Sequence, residues 1–381
     1  MEITQEGGGT MKAIDKSPRE TMVLQLGPHY PSMPGPYLLK VTLDHETIID
    51  ADIEFGFNHR GFEKLAENRT YLQFLPLTDR ICYVAALSHN DVYCRAVEEL
   101  MKIEVPERAK YIRTLALELQ RIASHTICFA EGYTLEQGFL TMMIYILKER
   151  EKIMSLMEEL CGSRLNMTYF RFGGVRLDLP KGFKERAIPI LDEVDKNIAE
   201  YDRILETDSV FLARNENVGV LKTEDAIRLG VTGPVLRGSN VNFDLRKADP
   251  YDAYDKVDFE VCYEKDCDNL ARFRVRVREI HESIKIIKQC LKDMPEGPIQ
   301  AKLPKVIRPP PGEVYTRIED PRGEMGMYLV SDGGLNPYRL AIRGPAFRNS
   351  QALPPLLLGY KYADIVAIAG STDGCTSEVD R

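Results

Sequence analysis

Asp79-Arg80-Ile81-Cys82-Tyr83-Val84-Ala85 and the last nine residues, Asp373-Gly374-Cys375-Thr376-Ser377-Glu378-Val379-Asp380-Arg381, are the stretches whose reading decides the fold. Each carries one cysteine among charged residues, and neither is decisive alone. The first opens a periodic segment that predicts a helix from Asp79 to Met101. Upstream, VLQL, PYLLKVTLD and HETIIDADIEF between Thr21 and Phe57 are apolar, partly alternating runs that predict a small β layer, with a hairpin turn at Asp44-His45.

Downstream, Pro106-Glu107 starts a helix whose Ala109, Ile112, Leu115, Leu119 and Ile122 recur at three- and four-residue spacing. It turns apolar all round at Thr126–Ala130, which predicts an end buried on every side. A helix from Gln137 to Cys161 follows, with Phe139, Met142, Met143, Ile146, Leu147, Ile153, Met154 and Met157 as core filler. Another runs from Phe183 to Leu205. The Gly-rich middle from Asn217 to Asp244 reads as loop and turn. Asp268–Met294 reads as a charged helix whose Arg272, Arg274, Arg276 and Arg278 form a solvated or inter-subunit face. A Pro-rich linker, Pro304–Pro311, leads into the strand-like GEVYTRIED, GMYLVSDG and YRLAIRG, and the chain closes in a helix-like stretch and a tail, GSTDGCTSEVDR. The fold class is therefore α+β: a mainly helical core closed by two small β regions. Residues 1–20 read as a flexible tail and 21–381 as one domain, with the β layer over 21–57, the helical core over 60–300 and the second β region with its tail over 304–381.

Composition excludes several classes. A net charge of −8 over 381 residues, without a Lys/Arg cluster, argues against a nucleic-acid surface. No apolar run reaches the roughly 18 residues of a membrane span, and the first residues hold no apolar signal core. Eight cysteines without a C-x-x-C pair read as reduced cytoplasmic thiols. Phosphate-loop, dinucleotide, H-E-x-x-H and nucleophile-elbow motifs are absent. Gly173-Gly174 and Gly333-Gly334 read as turns and His125 as a hydrogen-bonded core histidine. Cys262 and Cys267 are separated by four residues without a third ligand nearby.

Together the two opening stretches resemble the large subunit of [NiFe] hydrogenases, which carries R-x-C-x-x-C near its N-terminus and D-P-C-x-x-C-x-x-H at its C-terminus. Cys82 and Cys375 stand at the first cysteine positions, Ala85 and Glu378 at the second, and Arg381 replaces the terminal His. Alanine cannot ligate, so the four-thiolate metal site cannot form and hydrogenase activity is excluded.

From about residue 22 to 381 the chain resembles the 49-kDa-type (D) subunit of complex I, through GPHYPSMPGPY, FNHRGFEKLAENRTYLQFLPLTDRICYV, ERAKYIRTLALELQRIASH, FRFGGVRLDLP, TGPVLRGSNVNFDLRK, EDPRGEMGMYLVSDG and EVDR. Within that family, DGCTSEVDR and the MPGP variant are most similar to the D subunit of archaeal F(420)H2 dehydrogenase, which passes electrons from a reduced deazaflavin to methanophenazine or menaquinone. The resemblance implies a hydrogenase-large-subunit-like fold whose old metal cavity is a quinone or phenazine headgroup pocket. It implies no cofactor in this chain and a [4Fe-4S] cluster in a small B subunit. C, I and membrane H subunits are the other implied partners, F(420) and FAD lie on another subunit, and the complex lies on the cytoplasmic face of the membrane. An NADH-linked complex I subunit and a catalytically silent scaffold are the alternatives.

The residue roles implied follow the family's motifs. Tyr83 matches the headgroup tyrosine, and a phenol can hand a hydrogen bond or a proton to a ring carbonyl. The histidine loop, G-P-x-H-P-x-x-H-G in the family, reads Gly27-Pro28-His29-Tyr30-Pro31-Ser32-Met33-Pro34-Gly35. Tyr30 and Pro34 replace both histidines, and His29 falls one residue early. Glu136 matches the acid that backs the missing histidine. His59 and Arg60 match the cluster-side HRGFE motif, and Asn166 stands where a cluster-side histidine is usual. Arg343 and Arg381 read as structural ion-pairing around the cavity.

Overall fold

The computed structural model describes residues 21–29 and 35–381, so the tail expected over 1–20 lies outside the described residues, as do Tyr30 and Pro34. Strands β1 (Thr21–Leu26), β2 (Leu38–Asp44) and β3 (Thr47–Glu54) pair antiparallel in that order. Alternation in β2 buries Leu39, Val41 and Leu43 on one face. The hairpin turns at His45, whose φ of 56° is left-handed.

Helices α1 (Phe62–Glu67) and α2 (Tyr71–Thr78) follow, α2 opened by a Thr70–Gln73 capping box. The expected helix from Asp79 does not begin there; α3 spans Ala86–Met101. The reason is non-local. Arg60 Nη1 donates to the Arg80 carbonyl at 2.7 Å and Nη2 to the Ile81 carbonyl at 3.3 Å, which takes two acceptors a continuing helix would use internally.

α4 (Glu107–Cys128) buries the periodic residues named above and runs into a π-helical turn, Phe129–Leu135. α5 (Leu140–Cys161) buries Ile146, Ile153, Met154 and Met157, while Phe139, Met142, Met143 and Leu147 are only half-buried. After the two-residue strands β4 (Phe170–Arg171) and β5 (Gly174–Val175) come α6 (Phe183–Thr207) and α7 (Ser209–Asn215). The Gly-rich middle, expected to be loop, contains α8 (Thr223–Leu229) and α9 (Gly233–Arg237), with α10 (Leu245–Ala248) just after it. Pro234 starts α9 and Gly230 ends α8 in the left-handed region, so these breakers delimit helices rather than forbid them.

α11 (Asn269–Asp293) corrects another reading. Arg274 and Arg278 do pair at the surface with Glu206 and Glu264, but Arg272 and Arg276 are 0% and 3% exposed. Being surrounded by other elements, α11 has two buried sides. Between α4 and α11 lies an ionic core. Arg237 meets Glu279 and Glu319 at 2.7 Å each, Arg246 meets Asp244 at 2.6 Å and Glu118 at 3.1 Å, and His125 Nε2 lies 2.7 Å from Glu279. His125 is thus a bonded core histidine. Charges this deep persist only because each has opposite charge beside it.

β6 (Gly312–Asp320), β7 (Gly323–Ser331) and β8 (Arg339–Arg343) form a second antiparallel sheet packed on α3. Helices α12 (Pro345–Ser350), α13 (Leu353–Leu357), α14 (Ile365–Thr372) and α15 (Thr376–Asp380) end the chain. The stretch read as a tail is buried almost throughout from Gly370 to Asp380. Among the described residues no helix is long and apolar enough to cross a membrane.

Candidate functional site

The two stretches that opened the sequence reading meet. Cys82, on the turn before α3, donates its S–H to Cys375 Sγ at 3.3 Å across 293 residues of chain, and both thiols are fully buried. With Val84, Ala85, Ala346 and Val379 they form a small apolar cluster apart from the two larger cores. Three clamps hold it. Arg60, besides its two bonds to the 79–85 turn, donates to the Ser377 carbonyl at 3.0 Å, so one guanidinium ties both stretches together. The backbone N–H groups of Gly56 and Asn58 each donate to an Asp380 carboxylate oxygen at 2.7 Å. His59 Nδ1 lies 2.6 Å from the Asp380 carbonyl.

The third clamp is Arg322, in the turn between β6 and β7. It donates to the Asp373 carbonyl at 2.8 Å, the Asp373 carboxylate at 2.9 Å and Ser124 Oγ at 3.2 Å, with Nη1 3.9 Å from Cys82 Sγ. Asp373 is left-handed (φ 52°), a conformation Asp tolerates, and this turns the chain from α14 toward Cys375. α14 and the π-helical turn come so close that a Cβ on Gly370 would lie 2.7 Å from Gly132 Cα. Only two glycines allow that approach. A Cβ on Gly35 would likewise collide with the Thr376 side chain, which places the end of the 27–35 loop against Cys375's neighbour.

Tyr83 forms the outer wall. Its ring is half-buried, and its hydroxyl makes no hydrogen bond to any described residue. Burial, with Cys375, Cys82 and Glu131 adding negative charge, pushes the phenol well above its ordinary range, so it stays protonated at neutral pH. Burial also raises the Glu131 carboxyl, with Asp373 the next cause. Glu378, at 0% exposure, is raised well above a normal carboxylate by burial and by Asp320 and Cys375; Oε1 accepts from the Ala346 N–H at 2.9 Å. Beside Tyr83 a cavity of about 10 Å³, lined by Gln120, Arg150, Met154, Met157 and Leu165, has room for about one water. The wall thus presents a protonated phenol backed by a buried thiol pair.

Comparison with known proteins shows the family of the chain. The family model described as "Respiratory-chain NADH dehydrogenase, 49 Kd subunit" matches residues 136–310 and 302–381. The chain belongs to that family. A nickel-dependent hydrogenase model matches residues 60–168, the part carrying Cys82, in line with a hydrogenase-large-subunit-like fold. The D subunit of the Methanosarcina mazei F(420)H(2) dehydrogenase is 50% identical over 366 residues, covering 94% of this chain and 98% of that protein. The D subunit of the Dehalococcoides mccartyi NADH-quinone oxidoreductase is 46% identical over 364 residues (95% and 99%), and its counterpart in Desulforamulus reducens 45% over 361 residues (95% and 98%). By name, these relatives are parts of oxidoreductase complexes.

The 49-kDa-type residues named from the sequence are not all brought together. Cys82, Cys375, Tyr83 and Arg60 converge, and His59 borders them. His29 is exposed, paired through its backbone with Tyr37. Glu136 is half-buried at the end of the π-helical turn, raised by burial alone. Asn166 is exposed, although its neighbours Leu165 and Met167 line the cavity. Arg381 and Arg343 pair with Glu63 and Glu324. Sequence reasoning missed Arg322, Asp373 and Glu131. Arg322 lay within the matched EDPRGEMG stretch, a charged residue in a tight turn between apolar strands, which is the signal that marks it.

Proposed function

We propose that this chain is the peripheral electron-transfer subunit of a complex I-like F(420)H2:methanophenazine or quinone oxidoreductase, forming the wall against which the acceptor ring binds. The half-buried Tyr83 phenol carries the reading: protonated, without a partner among the described residues, and backed by the Cys82–Cys375 pair and Arg322. Such a phenol donates to a ring carbonyl or nitrogen and passes a proton as the ring is reduced. Following the family resemblance, the [4Fe-4S] cluster would lie on the B subunit, against the exposed His59–Arg60 edge. That cluster supplies the electrons. C, I and membrane H subunits complete the assembly on the cytoplasmic membrane face, and F(420) and FAD bind elsewhere.

The ring would then be seated between this wall and a neighbouring subunit, a placement that the small size of the cavity beside Tyr83 supports. A photoreactive quinone analogue irradiated in the purified complex tests this. Labelling is expected on the peptide holding Tyr83, competed by unlabelled acceptor. Labelling confined to other subunits would support the scaffold alternative.

A further inference from the structure

We propose that Cys82 and Cys375 are a reversible disulfide-forming pair, a modification site that peroxide-class oxidants convert from dithiol to disulfide. The two sulfurs are already 3.3 Å apart and hydrogen-bonded, so closing to the roughly 2.05 Å of a disulfide needs about an ångström of movement. The turn around Cys82 and the short helix after Cys375 are joined by side-chain clamps from Arg60 and Arg322 rather than by a shared sheet. Such clamps tolerate a shift of that size.

The pair differs from the other thiols in its sulfur–sulfur contact, although burial raises Cys82 well above its ordinary range as it does theirs. The Cys82 S–H bond lowers the Cys375 thiol, Arg322 assists, and these outweigh burial. Burial pushes Cys128, Cys161 and Cys262 up to about 12, and among the described residues no two of the other cysteines are hydrogen-bonded to one another. In the proposed step the Cys375 sulfur, which accepts the Cys82 S–H, is the one that attacks.

The step balances. Cys375 sulfur attacks one peroxide oxygen, the O–O bond breaks, and the departing hydroxide takes a proton to leave as water, giving a sulfenic acid. Cys82 sulfur then attacks Cys375 sulfur, the S–S bond forms, and the sulfenic oxygen leaves as a second water carrying the Cys82 proton. Two thiols and one hydrogen peroxide become one disulfide and two waters. The sulfurs together lose two electrons and the peroxide oxygens gain them.

The test uses the intact purified complex, treated with hydrogen peroxide, alkylated under denaturing conditions and digested. The expected result is a cross-linked species joining the Cys82 and Cys375 peptides, lost on dithiothreitol treatment, and no such species in Cys375→Ser. Recovering both cysteines alkylated after peroxide, or as sulfinic acids without a link, would overturn the proposal, as would a link that dithiothreitol cannot break. The wild-type arm stands even where the variant fails to assemble. None of these readouts depends on acceptor turnover, so failure here is distinct from failure of the proposed function.

Discussion

Arg322 binds Asp373 twice, through Nε to the backbone carbonyl at 2.8 Å and through Nη2 to the carboxylate at 2.9 Å, with both side chains buried. This pair fixes where Cys375 lies. Arg322→Met leaves the Asp373 charge buried with, among the described residues, only Arg276, 4.0 Å away, to oppose it. Breaking a buried pair in this way costs about 3–5 kcal/mol. Residues 365–381 should become protease-sensitive in the variant, and Arg322→Lys should recover only part of the loss because it lacks the fork. Wild-type protection in Arg322→Met would refute this role.

Gly370→Ala tests the glycine contact. The new methyl meets Gly132 backbone in a tightly packed region, and overpacking of this kind costs about 1–3 kcal/mol. The denaturation midpoint should fall by a corresponding amount, with Gly132→Ala giving a similar loss. A neutral effect would show that α14 and the π-helical turn separate easily.

Asp202 predicts a pH dependence. Burial, with Glu206 next to it, raises its pKa from 3.8 to about 6, and Oδ1 has no partner among the described residues. A carboxyl raised on folding favours the protonated native state. Its contribution is fully present below pH 3.8 and is lost as pH rises through about 6. Asp202→Asn should therefore raise the melting temperature relative to wild type at pH 7.5 and leave it unchanged near pH 3.5. A gain confined to low pH would reverse the sign and refute the argument.

Much of this fold was legible because its signals are local. The alternation of Leu39, Val41 and Leu43 marked β2, and the Ala109 to Ile122 spacing marked α4. What was hidden depends on distant partners. The break at 79–85 follows from Arg60 capturing two carbonyls, and the burial of Arg272 and Arg276 follows from the elements that surround α11. Of the candidate site, the family's motifs singled out Cys82, Cys375 and Tyr83, and the fold brings these three together. Glu131 was hidden because the π-helical turn, not sequence spacing, aims it.

Asn166 carries a redox prediction. Where the family often has a titratable histidine, this chain has an exposed amide. The potential of the cluster proposed for the neighbouring subunit should therefore vary little with pH. A redox titration with a slope near one proton per electron, roughly 59 mV per pH unit on the one-electron scale, would contradict it.

Steady-state acceptor reduction by the assembled complex carrying Tyr83→Phe bears most directly on the proposed role of this wall. The ring and its packing are kept and only the hydroxyl is lost. A positioned proton donor contributes about 10²–10⁴-fold, so kcat should fall by at least about a hundredfold with the complex still assembled. Turnover equal to wild type would contradict the assignment and leave this chain a scaffold.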